Sequence, residues 1–534
     1  MNALASIPHL VSLVIFLPAA GALVALLLPS DNGVKWTALV TMVVTFLLSL
    51  GLYAGFDPAV STAEAPQLMA KVNWFPGVDV SYFVGVDGLN LLLVMLTTLL
   101  GPIVILSSWT YIGKQIKGYY TLMLLLQTGV LGVFLSFDLV LFYVFFEITL
   151  IPMYFIIGIW GGENRVYAAI KFVLYTLVGS LLMLVGVLWL GFAAGDAING
   201  GVFTADWYQL VSFGVPLGAQ GWLFFLFLLA FAIKVPLFPF HTWLPDAHVQ
   251  APTGGSVVLA GVLLKMGTYG LIRFTIPFFP NAAHQFAPLL AVLAVVGIIY
   301  GALVAFAQED AKKLIAYSSV SHLGFVVLGL FAFTTEAVQG AMFQMVNHGI
   351  STGALFLLIG MLYERRHTHN MADFGGIAKT VPVFTFFMML TVFASAGLPG
   401  LNGFVGEFLI LIGSWKSSAF SGVFVILATT GVILAAVYLL WMVYRTFFGE
   451  ITHEENRTMK DLNFREIALI VPLAVLMVWL GLGPAPFLEK SEATVQAILN
   501  AAEAKARAVE AAAGQPDVIV QVPLRWPDAV AATE

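Results

Sequence analysis

The chain has 534 residues, of which 60% are apolar and only 10% are charged. A soluble protein of this length needs far more charge to cover its surface, so the composition excludes a soluble globular fold. The net charge of −6 is spread thinly, which argues against a nucleic-acid partner. The absence of cysteine excludes disulfides and cysteine-ligated zinc or iron–sulfur clusters.

Apolar runs of about 20 residues, the length that a helix needs to cross a bilayer, recur from end to end. The alternation of a membrane β-barrel is absent. We therefore predict an all-α polytopic membrane protein with about fourteen transmembrane helices. The predicted spans are 8–29, 35–56, 86–108, 119–136, 138–160, 167–195, 221–244, 255–275, 286–307, 312–333, 337–363, 380–413, 420–448 and 466–484.

The segments outside the spans are short, with three exceptions. Two longer loops cover 57–85 and 196–220, and an Ala-rich, charged tail runs from 488 to 534. The middle of the tail fits either a helix lying on the membrane surface or a poorly ordered end. The first apolar run has no Lys or Arg before it. We interpret it as a retained first span, because a signal peptide needs a basic n-region.

The charges of the loops indicate the orientation in the membrane. With the N-terminus outside, the outward loops between spans hold only Lys71, Arg273 and Lys416. This bias predicts that both termini lie on the outer side, which requires an even number of spans. The inward loops hold Lys35, Lys114, Lys117, Arg165, Lys171, Lys312, Lys313, Arg365, Arg366, Lys379, Arg445, Arg457, Lys460 and Arg465.

Two predicted spans stand out as broken by clustered proline and glycine. One reads FAIKVPLFPFHTWLPDAH (231–248) and the other reads FASAGLPGLNGFVGEF (393–408). They lie five spans apart, so their units have opposite topology, and paired broken spans indicate an inverted repeat with its site at the breaks. The predicted units are N-terminal helices over 1–118, a first five-helix repeat over 119–275, a second over 286–448, and a last helix with a polar tail over 449–534.

Six ionisable side chains lie where the spans should be buried. Five are near mid-span, roughly 10 residues or ~15 Å from a predicted membrane edge, and the sixth follows the second break. Charges at such depth are costly, usually face the bundle interior and mark ion or proton pathways. The candidate site residues are Glu147, Lys234, Lys265, His322, His348 and Glu407.

Three of these residues also have a purely structural interpretation. Glu147 and Lys234 would then be a static salt bridge between two spans, although an apolar pair is often as stable. Lys265 would extend its amine to a membrane interface, although it lies too centrally to reach one easily.

The other three candidates also have structural interpretations. His322 and His348 would be polar contacts between helices, and Glu407 would only satisfy backbone amides freed by the break. His241 and His248 flank the first break near the inner face. They are either part of proton uptake or local caps.

The residue types suit proton transfer. Burial disfavours the charged form of lysine and glutamate, whereas a nearby opposite charge favours it. A lysine that moves away from a glutamate can therefore release a proton, and histidine titrates near neutrality, as a relay requires. Breaks in two helices would admit water and allow small movements at the charged residues.

At these positions the sequence resembles a known family, the antiporter-like membrane subunits of respiratory complex I. The resemblance covers about residues 85–450. At Glu407 the sister subunits and the related antiporter subunit usually carry a lysine, so the glutamate favours one branch of the family. The matching stretches are FFEITLIPMYF, KVPLFPFHTWLPDAHVQAPTGGSVVLAGVLLKMGTYGLIRF, AQEDAKKLIAYSSVSHLGF, NHGISTGALFLLIGMLYER and GLPGLNGFVGEFLIL.

The resemblance implies a fourteen-helix core with two inverted repeats, the first for proton input and the second for output. It implies that Glu147 and Lys234 form a modulating pair, that Lys265 is the central lysine, and that two histidines connect it to Glu407 as the terminal residue. It also implies no cofactor in this chain, with flavin and iron–sulfur clusters in partner subunits.

The expected partners are other membrane subunits of complex I, including two further antiporter-like chains, together with lipid, protons and water. The expected location is the bacterial cytoplasmic (inner) membrane. The sequence leaves open a subunit of a multisubunit cation/proton antiporter, a related hydrogenase or ferredoxin–plastoquinone complex, and a scaffold whose buried charges merely hold helices together.

Overall fold

The computed structural model describes residues 4, 6–513 and 520–524, and it is a bundle of long helices with one small sheet. Among the described residues, twelve helices are long and apolar enough to cross a membrane. They are α1 (Leu10–Leu27), α2 (Asp31–Gly55), α4 (Ile116–Leu135), α5 (Leu139–Trp160), α6 (Arg165–Ile198), α7a (Leu217–Lys234), α8 (Thr253–Phe278), α9 (Pro280–Phe306), α10 (Ala311–Leu330), α11 (Thr335–Arg366), α13 (Gly422–Phe447) and α14 (Phe464–Leu482).

Five further helices complete this architecture. Helices α3 and α12a are apolar but shorter than the twelve, and α7b and α12b follow breaks in the chain. The predicted spans coincide with these helices to within a few residues, apart from the breaks, whereas the number of crossings stays a prediction. The bounds are α3 (Leu91–Ser107), α7b (Trp243–Gln250), α12a (Pro382–Ser395), α12b (Asn402–Trp415) and α15 (Ala485–Ala511).

Polar residues at the helix starts explain where several helices begin. The Asp138 carboxylate accepts the backbone N–H of Leu141 at the start of α5, and Asp310 does the same for Lys313 in α10. At α14, Asn463 and Glu466 form a reciprocal capping box. These caps satisfy N–H groups that the first turn of a helix cannot pair internally.

Helices α8 and α11 form the centre of the bundle, and their membrane-crossing windows are fully buried within the protein. Helix α8 is irregular, because two π-helical segments, Leu259–Leu263 and Leu271–Thr275, interrupt its α-helical turns. A Cβ at Gly267 would lie 2.8 Å from the Phe231 carbonyl oxygen, so a side chain there would push α8 away from α7a. Many other helices expose large apolar side chains, as expected for surfaces facing lipid or neighbouring subunits.

Both predicted breaks are present. The first follows Lys234, the last residue of α7a, and the Trp243 indole N–H donates to the Ile233 carbonyl that the break leaves free (2.8 Å). The second separates α12a from α12b, where Gly397 (φ +76°) and Gly400 (φ +93°) adopt left-handed backbone. Glycine is needed for such φ values because it lacks a Cβ.

The sheet corrects the all-α expectation. Strands β1 (Gln67–Asn73) and β2 (Ser81–Val86) pair antiparallel within the predicted loop 57–85. The second long loop contributes a short helix, Trp207–Ser212, and the Asp79 N–H donates to the Phe203 carbonyl (2.9 Å) to join the two loops. A single two-stranded hairpin is marginal by itself, so these contacts explain why it forms here.

Helix α15 decides between the two alternatives for the middle of the tail, which is helical. It is well formed and packs on the protein through Val495, Ile498, Ala502, Lys505 and Val509, which repeat every three or four residues. The pattern is that of an amphipathic helix docked on a protein surface. Residues 514–519 and 525–534 of the predicted tail lie outside the described residues.

Arg273 is a charged residue whose position the sequence analysis predicts wrongly. The loop assignment put it in an outward loop, but it lies in the last turns of α8 and is fully buried. Its burial is tolerated because Asp87 pairs with it at 2.7 Å.

Candidate functional site

Lys265 lies at the centre of the bundle on α8 and is fully buried. Its amine donates to the Ala260 carbonyl, in the π-helical segment one turn earlier, and lies 2.7 Å from Nδ1 of His348 on α11. The amine therefore reaches a proton-accepting ring and no membrane interface. The alternative that Lys265 extends to the membrane surface is wrong, because buried partners hold its head group.

A second direct contact joins α10 to α12b. Nδ1 of His322 lies 2.8 Å from Oε1 of Glu407, and the same oxygen accepts a hydrogen bond from the Gln344 amide at 3.1 Å. The Tyr438 hydroxyl lies 3.1 Å from Nε2 of His322. These contacts fit a tautomer that carries its proton on Nδ1, donates to Glu407 and accepts from Tyr438.

The two contacts lie next to each other. The ring centroids of His322 and His348 are 5.9 Å apart, and Nε2 of His348 is buried without a hydrogen-bond partner. Four of the six predicted residues thus form one line in the order Lys265, His348, His322 and Glu407. The partners come from α8, α11, α10 and α12b, so the line crosses the centre of the bundle.

Lys234 is separate from this line. Its amine is buried without a hydrogen-bond partner and lies 5.0 Å from the ring centroid of Phe146 and 5.6 Å from that of Phe172. Aromatic faces attract a cation, but more weakly than a carboxylate does at hydrogen-bond distance. Lys234 therefore stands at the first break with free hydrogen-bonding capacity.

Glu147 lies near Lys234 on α5 but is not hydrogen-bonded to it. Oε1 of Glu147 is buried without a partner, and Ser180 is the nearest hydrogen-bonding side chain. The static salt bridge of the structural alternative is therefore not formed. The charge of Glu147 still acts on Lys234 across the gap.

The two histidines past the first break lie among aromatic rings. His241 contacts Phe238 and Tyr300, with centroids 5.7 and 5.2 Å away. His248 stacks on Phe356 at 4.5 Å, and both of its ring nitrogens lack hydrogen-bond partners. The geometry gives no support to His248 as a local cap, because a cap bonds to backbone groups.

Sequence reasoning missed several polar partners of the line. Gln344 precedes His348 by four residues, a helical spacing that puts both on one face of α11. Asn347 donates to the Asn402 carbonyl at 2.7 Å and so links α11 to the second break. Tyr438 had no signal except its position in an otherwise apolar span.

The chemistry of these groups is that of proton transfer. Along the line, proton donors and proton acceptors on lysine, histidine and glutamate side chains follow one another. Among the described residues, no group of three or more His, Cys, Asp or Glu could hold a metal ion. The Glu407 carboxylate contacts side chains of His322 and Gln344, so its role is not limited to freed backbone amides.

Comparisons with known proteins identify the family of the chain. Residues 136–434 match the family described as NADH:quinone oxidoreductase/Mrp antiporter, TM. NADH-quinone oxidoreductase subunit M of Rhodobacter capsulatus is 46% identical over 495 residues, which is 89% of this chain and 93% of that protein.

Solved structures show the same fold. A chain of respiratory complex I from Thermus thermophilus with bound NADH superposes with a TM-score of 0.81 at 35% identity, covering 93% of this chain and 99% of that one. A chain of the Mrp complex from Dietzia shares the fold at 23% identity, with a TM-score of 0.78 and coverage of 94% and 99%. The chain therefore belongs to the NADH:quinone oxidoreductase/Mrp antiporter family, in the branch whose relatives are named NADH-quinone oxidoreductase subunit M.

Proposed function

We propose that Lys265, His348, His322 and Glu407 carry protons across the centre of this chain, with Glu147 and Lys234 controlling their supply. Family membership supplies the coarser statement: the chain is a proton-translocating, multi-pass membrane subunit of NADH–quinone oxidoreductase. Of the alternatives, the antiporter subunit and the related redox complexes are disfavoured by the identity to subunit M.

The observation that carries the proposal is the line of direct contacts. The Lys265 amine and His348 are 2.7 Å apart, and His322 and Glu407 are 2.8 Å apart, both within the range of strong hydrogen bonds. The gap between the two imidazole rings is the one interruption, and we assign a water molecule to it. A buried nitrogen without a partner, such as Nε2 of His348, favours such a water.

Proton supply at the first break depends on the Lys234 amine, which has no hydrogen-bond partner. The amine has no hydrogen-bond partner and Glu147 has a free oxygen, so a small movement at the break changes their separation. Approach of the carboxylate favours the protonated amine, and withdrawal favours release. In this mechanism Lys234 passes its proton towards Lys265 when Glu147 withdraws.

Release occurs at the second break. Oε2 of Glu407 is buried without a partner, as are Ser395 Oγ, Asn347 Oδ1 and Asn402 Oδ1 around the break. Buried polar atoms of this kind are normally satisfied by ordered water. We infer that water at the α12 break receives the proton from Glu407.

The same proposal includes the membrane topology of the chain and its partner subunits. It crosses the bacterial cytoplasmic (inner) membrane fourteen times with both termini outside, and residues 119–275 and 286–448 are its inverted input and output repeats. Other membrane subunits, including two further antiporter-like chains, are its partners. Flavin and iron–sulfur clusters belong to partner subunits, and this chain holds no redox centre.

The test uses the parent complex in proteoliposomes and compares Lys265→Ala with Lys265→Arg. Both variants are expected to lose most proton pumping per NADH oxidised, and the arginine variant is the sharper probe because it keeps the charge but cannot release its proton. Lys505→Arg is the matched control, since Lys505 is equally buried but bonds only to carbonyls at the outer face. Normal pumping by assembled Lys265→Arg would contradict the proposal.

A further inference from the structure

A second buried charge cluster lies on α8, beyond the central lysine. The Arg273 and Asp87 side chains are 0% and 3% exposed, and Nη2 of Arg273 lies 2.7 Å from the carboxylate. Nε of the arginine donates to the Tyr269 hydroxyl at 2.9 Å. None of these three residues takes part in the line from Lys265 to Glu407.

Aromatic rings surround the guanidinium of this cluster. The guanidinium lies 4.8 Å from the ring centroid of Phe137 and 5.0 Å from that of Trp207. The Trp207 indole N–H also donates to the Arg273 carbonyl at 2.8 Å, so the short outer helix Trp207–Ser212 closes over the end of α8. The Arg273 side chain is therefore held in place by Asp87, Tyr269 and the surrounding rings, and Nη1 is its one nitrogen without a hydrogen-bond partner.

The cluster lies on a direct route from Lys265 to the outer face. Lys265 and Tyr269 are four residues apart in the α-helical segment Leu264–Gly270 and so share one side of α8, and the hydrogen bond from Arg273 to Tyr269 puts Arg273 on the same side. At 1.5 Å per residue, Arg273 is about 12 Å further along the helix than Lys265. A proton leaving Lys265 along this side would avoid the histidines altogether.

The hydrogen bonds of the cluster cannot pass such a proton on. The Tyr269 hydroxyl donates to the Phe134 carbonyl at 2.9 Å and accepts from Arg273. A backbone carbonyl does not relay a proton, and a guanidinium has donors only and stays charged in proteins. The direction of every bond around Tyr269 is therefore fixed, and the arginine ends the chain of possible transfers.

We propose that Arg273, Asp87 and Tyr269 form an outward seal that prevents the Lys265 proton from leaving directly and directs it to His348. The seal rests on the proposed function, because it matters only if Lys265 carries a proton. Arg273 supplies a permanent cation that opposes a proton, and Asp87 makes the buried cation tolerable. The three residues determine which route the proton takes and do not themselves carry protons.

The test measures passive proton leak in proteoliposomes that hold the whole complex, with an imposed pH difference and no NADH. The double variant Arg273→Gln/Asp87→Asn removes both charges without leaving an unpaired ion. We expect the pH difference to decay several-fold faster than with the wild type. Adding Lys265→Ala to the double variant should return the decay to the wild-type rate, because the leak needs the central lysine.

Arg273→Lys is the second variant, since it keeps the ion pair with Asp87 but replaces the guanidinium with an amine that can release a proton. It should also leak, by a smaller factor. If either the double variant or Arg273→Lys assembles and keeps the pH difference as long as the wild type does, the proposed seal is wrong. A leak that persists without Lys265 would also overturn it. The proposed function is judged separately, by NADH-driven pumping of the Lys265 single variants.

Discussion

At the scale of single residues, two hydrogen bonds organise the centre of the bundle. The contacts of Lys265 with His348 and of His322 with Glu407 each join residues more than eighty positions apart in the chain. The two rings differ at their second nitrogen: Nε2 of His322 contacts the Tyr438 hydroxyl, whereas Nε2 of His348 has no hydrogen-bond partner. The two histidines are therefore not equivalent, and His322 is the more firmly oriented.

The orientation of His322 can be tested with Tyr438→Phe. The change removes only the hydroxyl, leaves Nε2 without a partner and should cost about 1–3 kcal/mol of stability. We expect assembly to persist and proton pumping per NADH to fall, because the imidazole loses the contact that fixes its tautomer. Tyr444→Phe is the control, since that residue is exposed on the same helix. Equal pumping by both variants would show that Tyr438 has no positioning role.

At the scale of elements, irregular helices create the site. The π-helical turn before Lys265 supplies the Ala260 carbonyl that its amine bonds, and the break in α12 brings Glu407 beside Gly397. Regular helices would pair these backbone groups internally. The irregularities lie at the charged residues, and the proposed proton path depends on the backbone groups that they leave free.

The break in α12 offers a matched pair of glycine variants. Gly397 and Gly400 both have positive φ, so alanine at either should cost about 1–2 kcal/mol in backbone strain. A Cβ at Gly397 would lie 3.2 Å from Oε2 of Glu407, whereas at Gly400 the nearest atom is a Leu482 methyl carbon at 3.8 Å. We expect Gly397→Ala to reduce proton pumping more than Gly400→Ala at similar thermal stability. The same loss in both variants would indicate a general effect of strain.

At the scale of the whole molecule, α15 ties together the ends of several helices on one face of the bundle. The Lys490 amine donates to the Phe56 carbonyl, and the Thr494 hydroxyl accepts the N–H of Gly88. Further along, Lys505 donates to the Val211 and Pro277 carbonyls, both at 3.0 Å. Helix α15 therefore braces the face of the bundle that lies close to Arg273 and its partners.

The docking of α15 should depend on pH. Burial lowers the pKa of the Lys505 amine to about 7, from an ordinary value of about 10.4. Between these values the unfolded chain holds more protons than the folded protein, so the contribution of Lys505 to stability rises with pH from about 7 to about 10. The thermal midpoint of the wild type should therefore increase relative to that of Lys505→Met between pH 7 and pH 9.

Both carbonyl bonds survive deprotonation, because a neutral amine still has two N–H donors. Arg507→Met on the exposed side of α15 is the control and should keep a constant difference from the wild type over this range. A constant difference for Lys505→Met as well would contradict the predicted proton release.

The sequence by itself determined the class of the protein, the positions of the helices, the two breaks and six of the buried ionisable residues. It could do so because a bilayer forces each spanning segment to satisfy its own backbone and makes every buried charge conspicuous against an apolar background. The sequence did not predict the hairpin at 67–86 or the docking of helix α15 on the protein, since both depend on contacts with distant loops rather than on local hydropathy.

Only the tertiary structure decided which charges meet. Hydropathy gives depth in the membrane but no direction around a helix axis, so it could not show that Lys265 faces His348, that Glu147 and Lys234 stay apart, or that Arg273 turns inward to Asp87. The π-helical turns of α8 change the direction in which all later side chains point, and no residue type predicts such a turn. The connections along the path are therefore properties of helix packing, whereas its chemical components are properties of the sequence.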